Sequence, residues 1–380
     1  MKLPPFLLDR WLDQKFSANP PIEFDLGSST GPVWTLRELL ALSEDHASEW
    51  LLDTPLSYTT AAGSNELREA IGELEGVNSD EVQVVTGAAE ALLILFFLAA
   101  EPDANVVLPS PGFPANRALT ESLKLESRYY TLRPQNEFRI DLNEIRGLVD
   151  GNTRFVLVNS PHNPTGSIIS DQQMKTLHDF CAERGIQFVS DQVYHPIYHG
   201  ASMKSAARLP HATVIGDFSK ALCLSGLRVG WMIEHDPNRR EQYTDARSYF
   251  TVSNTVLGES LAVLALQHHE TIYERVRRVA TANLALVERV FTEHRDILRW
   301  VRPQGGMTTF PWLADRADAR EFCRRLMKRG VMLAPGDCFG MPAHFRLGFA
   351  ATGDRFPLGL ERFAEFLRTD ARERSSASIG

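Results

Sequence analysis

The sequence predicts an α/β fold, a mostly parallel seven-stranded sheet sandwiched by helices, joined to a smaller α+β domain. Three observations predict it. Between Val82 and Glu234 short β-branched runs alternate with amphipathic stretches, the pattern of a helix-covered parallel sheet. From Leu257 to Arg295 a long helical pattern runs with little Gly or Pro, as a link between domains requires. Beyond it, short strand-like runs return without the alternating helices.

In chain order the strands of the sheet are expected at Val82–Thr86, Asn105–Leu108, Arg128–Leu132, Arg154–Val158, Gln187–Ser190, Thr213–Gly216 and Val229–Ile233. The apolar run Ala88–Ala100, interrupted by Glu90 and stopped by Glu101-Pro102-Asp103, is too short for a membrane span and reads as a buried helix. Ser170–Arg184 is an amphipathic helix. The large domain is expected at 46–270. Residues 1–45 with 271–380 form the smaller one, with strands near Leu298–Val301, Thr308–Trp312, Val331–Ala334 and Phe345–Phe349. The polar tail Arg372–Gly380 is expected to fray.

Composition narrows the function. At 380 residues and 43% hydrophobic content the chain can bury a large core. Lys and Arg total 40 against 48 acids, a net charge of −8, which argues against nucleic acid and anionic membrane surfaces as partners. Cys181, Cys223, Cys323 and Cys338 lack paired spacing and attendant histidines, so free thiols in a reducing cytoplasm are expected and no metal site. Phe6-Leu7-Leu8 ahead of Asp9 and Arg10 is too little apolar length for a signal peptide.

The chemistry is concentrated where strands end. Lys220, in Asp217-Phe218-Ser219-Lys220, sits on a turn with Arg228 eight residues on. Such an amine can form a Schiff base with an aldehyde cofactor, and the arginine can neutralise that cofactor's phosphate. Asp191 closes the strand ending in Val189-Ser190, where a carboxylate would face a ring nitrogen or cap the next helix. Asn163, in Asn159-Ser160-Pro161-His162-Asn163-Pro164-Thr165-Gly166, and Tyr194 can donate to a ring oxygen, though a plain loop and a packed tyrosine use the same residues. Gly87-Ala88-Ala89 breaks a strand into a helix whose free N–H groups suit an anion. Phe113, among prolines after Val106-Val107-Leu108, can stack on a flat ring or simply pack.

This ordered series, from about Tyr58 to Phe349, resembles the fold-type I pyridoxal-phosphate enzymes and within them the class I/II aminotransferase family. The resemblance implies pyridoxal 5′-phosphate as cofactor and Lys220 as its Schiff-base partner and catalytic proton shuttle. It implies Asp191 on the pyridine nitrogen, Asn163 and Tyr194 on the ring oxygen, and Phe113 against the ring. Arg228 and the Gly87-Ala88-Ala89 turn are implied on the phosphate. Tyr58, in Ser57-Tyr58-Thr59, matches the family tyrosine that reaches the phosphate from a neighbouring subunit, so a homodimer with shared active sites is implied. Arg346, in Phe345-Arg346-Leu347-Gly348, matches the arginine that grips a substrate carboxylate, with Asn163 and Gly27 beside the substrate.

The implied reaction is amino transfer between an α-amino acid and a 2-oxo acid. The alternative is elimination, replacement or cyclisation. Ser28-Ser29 and the run Pro303–Pro311 resemble, more loosely, the subgroup containing capreomycidine synthase, which cyclises a hydroxyarginine. Two departures stand out. Asp217 occupies a cofactor-site position where the family usually has Ser or Thr, and its charge repels a phosphate unless Arg228 pairs with it or it turns to cap a backbone group. The stretch Phe24–Gly31 lacks the family's usual continuation after its glycine.

Overall fold

The computed structural model describes residues 3–43 and 47–377. The expected domain boundary at 45/46 lies outside the described residues. A two-residue strand, β1 (Phe24–Asp25), precedes seven strands of one sheet: β2 (Val82–Val85), β3 (Asn105–Ser110), β4 (Glu126–Thr131), β5 (Thr153–Asn159), β6 (Gln187–Asp191), β7 (Ala212–Asp217) and β8 (Gly230–Ile233). Their order across the sheet is β2-β8-β7-β6-β5-β3-β4. Every expected strand of this sheet is present: apolar runs such as those of β2, β5 and β7, buried on both faces, leave a strong local signal, whereas the edge strand β4 is mostly polar.

β4, β3, β5, β6 and β7 run parallel, whereas β8 is antiparallel to both of its neighbours. That reversal places Gly230, the first residue of β8, in register with Val85 at the end of β2 and with Asp217 at the end of β7. One edge of the sheet therefore collects the carboxyl ends of six strands and the start of β8, the place where open α/β sheets form ligand crevices.

The helices follow their capping signals. Asp171–Glu183 starts from a reciprocal cap between Ser170 and Gln173. Ala88–Ala99 carries Ile94, Leu95 and Phe96 into the core beneath the sheet. The expected continuous helix 257–295 is instead two, Val256–Gln267 and His269–Glu293, because the chain leaves the helical region at His268. The first helix packs on the sheet cluster with Leu261 and Leu264. The second begins there with Ile272 and Val276 and crosses to a separate cluster with Leu284, Val287 and Phe291.

That second cluster, with Trp11, Phe24, Leu26, Phe322, Phe345 and Phe363, is the core of a further domain. Its expected strands are shorter than the sequence suggested. Thr308–Thr309 pairs with Phe345–Gly348, and Trp312–Leu313 turns away to pair with Leu298–Arg299, since Pro311 between them has no N–H to continue a ladder. Val331–Met332 pairs with β1, and Ala334–Pro335 with Phe345–Gly348. β1 gave no sequence signal at two residues in length. The terminal helix Phe356–Ala377 continues through the stretch expected to fray, and Ser378–Gly380 lie outside the described residues.

Gly348 marks a close approach of the N- and C-terminal segments: its N–H donates to the Leu26 carbonyl at 2.8 Å, and a Cβ there would lie 1.8 Å from the Ser28 carbonyl oxygen. All four cysteines are buried free thiols. Among the described residues no helix is long and apolar enough to cross a membrane, and no three His, Cys, Asp or Glu gather to hold a metal ion.

Candidate active site

Lys220 lies on the tight loop joining β7 to β8, which the Leu224 N–H closes by donating to the Phe218 carbonyl at 2.8 Å. Arg228 ends that loop in the left-handed region, at φ 53°, before β8 begins. The loop opens on a cavity of about 250 Å³ at the carboxyl edge of the sheet, lined by Ala88, Ala89, Phe113, Asn163, Asp191, Tyr194, Asp217, Lys220 and Arg228 among others. Residues expected separately from six places in the chain thus share one space.

Asp191, at the end of β6, is 7% exposed and has no ion-pair partner among the described residues, and its Oδ1 accepts a 3.3 Å bond from the Val193 N–H. Burial pushes its carboxyl up to about 7, with the nearby Asp217 charge adding to the rise. A carboxylate stored this way fits a cationic ring nitrogen, whose charge it would stabilise and which would in turn hold it ionised. The ring-oxygen side fits too. Asn159, in register with Asp191, accepts from the Asn163 N–H at 2.7 Å and fixes that loop under the cavity. Phe113 supplies a flat wall, and Phe6 lies edge-on to it with 6.3 Å between ring centroids.

On the phosphate side, Gly87 takes φ 78° before the helix that starts at Ala88, and a Cβ on it would sit 2.4 Å from Arg228 Nη2. Arg228 is held by Thr86 O, Ser219 Oγ and Ser225 O at 3.1 to 3.2 Å. Asp217 does not form an ion pair with it. Instead Oδ2 accepts from the Ala88 N–H at 2.5 Å and Oδ1 from the Ser219 N–H, so the carboxylate caps the helix start. The Ala88 N–H expected to face a phosphate is thus shared with Asp217, leaving Ala89 and Arg228 as the other donors.

A charge beside both the anion site and Asp191 has a measurable consequence. Asp217→Asn keeps an acceptor for one of these two N–H groups and loses it for the other, removes a repulsion of up to about 3 kcal/mol at about 5 Å and an effective dielectric of about 20, and eases ionisation of Asp191. Retention of pyridoxal 5′-phosphate on dialysis should therefore tighten; unchanged or weaker retention would mean that the aspartate's capping role outweighs its charge.

Arg346 is 1% exposed and has no anionic partner among the described residues. Its Nε and Nη2 donate to the Gly27 carbonyl at 3.1 and 2.7 Å, and Nη1 to Asn163 Oδ1 at 3.1 Å, which ties it to the cavity. Its guanidinium stands 5.1 Å from the Phe339 ring centre. Tyr58 is the expected residue that one chain does not bring to the cavity: its side chain is 85% exposed.

Sequence reasoning missed three groups. Asn159 was within reach, since it is a polar residue at a strand end. Asp9, on the helix Leu7–Leu12, has its carboxyl raised by burial and by Asp13, with Arg346 and Lys220 acting against the rise, so it faces the same charges. Ser29 is the third: Lys220 Nζ donates to its Oγ at 3.2 Å, across 191 residues of sequence, and no local pattern announces that contact.

The protein family described as aminotransferase class I and II matches residues 51–358. The chain is 28% identical over 377 residues to capreomycidine synthase of Streptomyces vinaceus, covering 98% of this chain and 96% of that protein. Its fold superposes on a PLP-dependent aminotransferase from Streptococcus suis with a TM-score of 0.90 at 27% identity, covering 97% of this chain and 99% of that one. The PLP-dependent cyclase OrfR gives a TM-score of 0.87 at 26% identity, covering 97% and 98%.

Proposed function

Since this chain belongs to the class I and II aminotransferases and takes pyridoxal 5′-phosphate as its cofactor, we propose that it moves an amino group between an α-amino acid and a 2-oxo acid. The observation that carries this reading is a buried guanidinium without a carboxylate, Arg346, joined through Asn163 to the cavity that holds Lys220 and Asp191. A buried arginine stays charged and needs an anion, and a carboxylate fits its planar fork.

When bound, pyridoxal 5′-phosphate supplies an aldehyde carbon that amines attack and a cationic ring that draws off an electron pair. The chain's own groups then divide the work. Lys220 would hold the cofactor covalently and, as a neutral amine, would take and return the α-proton. Asp191 would keep the ring nitrogen protonated, Asn163 and Tyr194 would donate to the ring oxygen, and Phe113 would pack against the ring and keep water from it. Arg228 with the Ala88 and Ala89 turn would hold the phosphate, and Arg346, with Gly27 and Asn163 beside it, would align the substrate carboxylate.

The same groups serve elimination, replacement or cyclisation, a second reading supported by the near full-length similarity to capreomycidine synthase and to a cyclase. Incubating the holoprotein with single amino acids separates the two. Release of a 2-oxo acid with a second 2-oxo acid as acceptor is the expected result. Ammonia release that needs no acceptor and passes no amino group to it, or a cyclised amino acid as product, would overturn transamination.

We further propose a cytoplasmic homodimer in which Tyr58 serves the partner's site, with 46–270 as the cofactor-holding unit and 1–45 plus 271–380 as the smaller one. Tyr58 lies on a segment that Glu259 and Arg247 hold through Thr59, Ala61 and Ser64, and Tyr249 and Val252, two and five residues past Arg247, are exposed as Tyr58 is. Together these apolar groups suit a subunit face. Mixing Tyr58→Phe with Lys220→Ala subunits should restore part of the activity, because one hybrid site carries both intact groups. No rescue after demonstrated subunit exchange, with Tyr58→Phe alone severely impaired, would count against shared sites.

A further inference from the structure

Ser29 comes from the N-terminal segment, far in sequence from the strands that build the site, to meet Lys220 and Tyr194, which line the cavity. Its Oγ accepts from Lys220 Nζ at 3.2 Å, and its carbonyl accepts from the Tyr194 hydroxyl at 3.4 Å. It is 8% exposed. One residue thus touches both the lysine and the tyrosine of the site.

The segment carrying it is fixed on both sides. Upstream, β1 pairs with Val331–Met332, and Asp25 accepts from the Gly27 and Ser28 N–H groups at 2.9 and 3.0 Å and from the Ser28 hydroxyl at 2.6 Å. Burial works against the Asp25 charge, but the Ser28 hydroxyl and the Lys15 ammonium, 2.9 Å away, hold its carboxyl below the ordinary range. Downstream, Gly31 lies so close to Cys223 and Met307 that a Cβ would sit 2.3 Å from Cys223 Sγ and 3.0 Å from Met307 Sδ. Cys223 belongs to the Lys220 loop itself and donates to the Lys220 carbonyl at 3.2 Å. Ser29 is therefore held against Lys220 by supports that do not involve its own side chain.

We propose that Ser29 is a positioning residue whose hydroxyl orients the Lys220 amine for proton transfer. This rests on the role of Lys220 proposed above. A neutral amine has two N–H groups and one lone pair on a freely turning Cε–Nζ bond; anchoring one N–H to Ser29 fixes where the lone pair points. As the substrate Cα–H bond breaks and the proton forms a new N–H bond on Nζ, the bonding pair stays on the carbon side and positive charge builds on the nitrogen. A hydrogen bond donated by an ammonium is stronger than one from a neutral amine, so the Ser29 contact tightens as the proton moves.

The test compares Ser29→Ala and Ser29→Thr with the unaltered protein. The first readout needs no substrate: apoprotein is mixed with pyridoxal 5′-phosphate, and covalent capture by Lys220 is followed by borohydride trapping and mass. Ser29→Ala should capture about 10-fold more slowly and Ser29→Thr near the normal rate, from the difference between charged and neutral hydrogen bonds. With an amino acid found active in the screen, Ser29→Ala should lower kcat by a similar factor, leave KM nearly unchanged and enlarge the isotope effect of α-deuteration. Normal capture and normal kcat in a folded Ser29→Ala protein would overturn the proposal, as would equal losses in Ser29→Thr and Ser29→Ala. Should Ser29→Ala not fold, Ser29→Cys, similar in size and a weaker acceptor, takes its place with the same criteria. If the unaltered protein forms no covalent link at Lys220, it is the assignment of Lys220 that fails, which the capture assay separates from a failure of Ser29 alone.

Discussion

Lys220→Ala is expected to abolish covalent retention of pyridoxal 5′-phosphate and to lower turnover by at least about 10⁴-fold, the combined loss of the covalent attachment and of a positioned proton carrier. The fold should survive. The side chain is partly exposed, and among the described residues its amine hydrogen-bonds to Ser29 alone, so truncation leaves little buried cavity and no buried charge. The loop is held by its backbone, through Leu224 N–H to Phe218 and Cys223 N–H to Lys220, and these bonds do not need the amine. Arg228, Ala89 and Asp191 remain, so the variant should still bind the cofactor non-covalently and release it on dialysis. Borohydride treatment followed by mass measurement decides the matter: an adduct retained in the alanine variant would remove Lys220 from the reaction.

The second large effect is expected at Asp191 and has opposite signs with and without cofactor. In the cofactor-free protein the carboxyl titrates near 7 against 3.8 ordinarily, with burial as the main cause. Its folded-state value is raised, so the folded state binds the proton more tightly than the unfolded chain does. Below the unfolded value both states are protonated and no cost arises. As pH climbs from about 4 to about 7 stability is lost, up to about 4 kcal/mol, and above that the full cost persists. Asparagine carries no such charge. Cofactor-free Asp191→Asn should therefore be more stable than the unaltered protein at about pH 8, with the gap closing toward about pH 4.

With cofactor the order reverses. Asparagine cannot balance a cationic ring nitrogen, and leaving one member of a buried charge pair alone costs about 3–5 kcal/mol, or roughly a 10²- to 5 × 10³-fold loss of turnover or retention. Thermal unfolding across pH, with and without pyridoxal 5′-phosphate, measures both halves. A stability gap that does not change with pH would mean that the Asp191 carboxyl is not stored against its charge, and unimpaired holoprotein would mean that it does not face the ring.

Much of this site was legible because its parts are local. Lys220, Asp191, Asn163 and the Gly87-Ala88-Ala89 turn each stand just after a strand whose apolar run is visible by itself, and a parallel sheet aligns such strand ends without further information. The break of the long helix at His268 was not legible: the residues on either side keep a helical pattern, and the break reflects packing against two different cores. Asp217 shows the boundary between the two kinds of knowledge. Its unusual identity was plain from the sequence, but the choice between an arginine and a helix start depended on the Ala88 N–H, 129 residues away, arriving within 2.5 Å.

By itself the sequence determined the strand series, the sheet class and the residue types needed for pyridoxal-phosphate chemistry, since burial on two faces and turn-forming residues act over a few positions. Only the tertiary structure decided how the N-terminal strap closes the site. β1 exists because Val331–Met332 offers it a partner, Arg346 reaches Asn163 across 183 residues, and Ser29 meets Lys220 because Asp25 and Gly31 pin the segment between them. Such contacts draw their energy from groups that become neighbours only when the chain is folded, so no window of sequence contains both sides of the interaction.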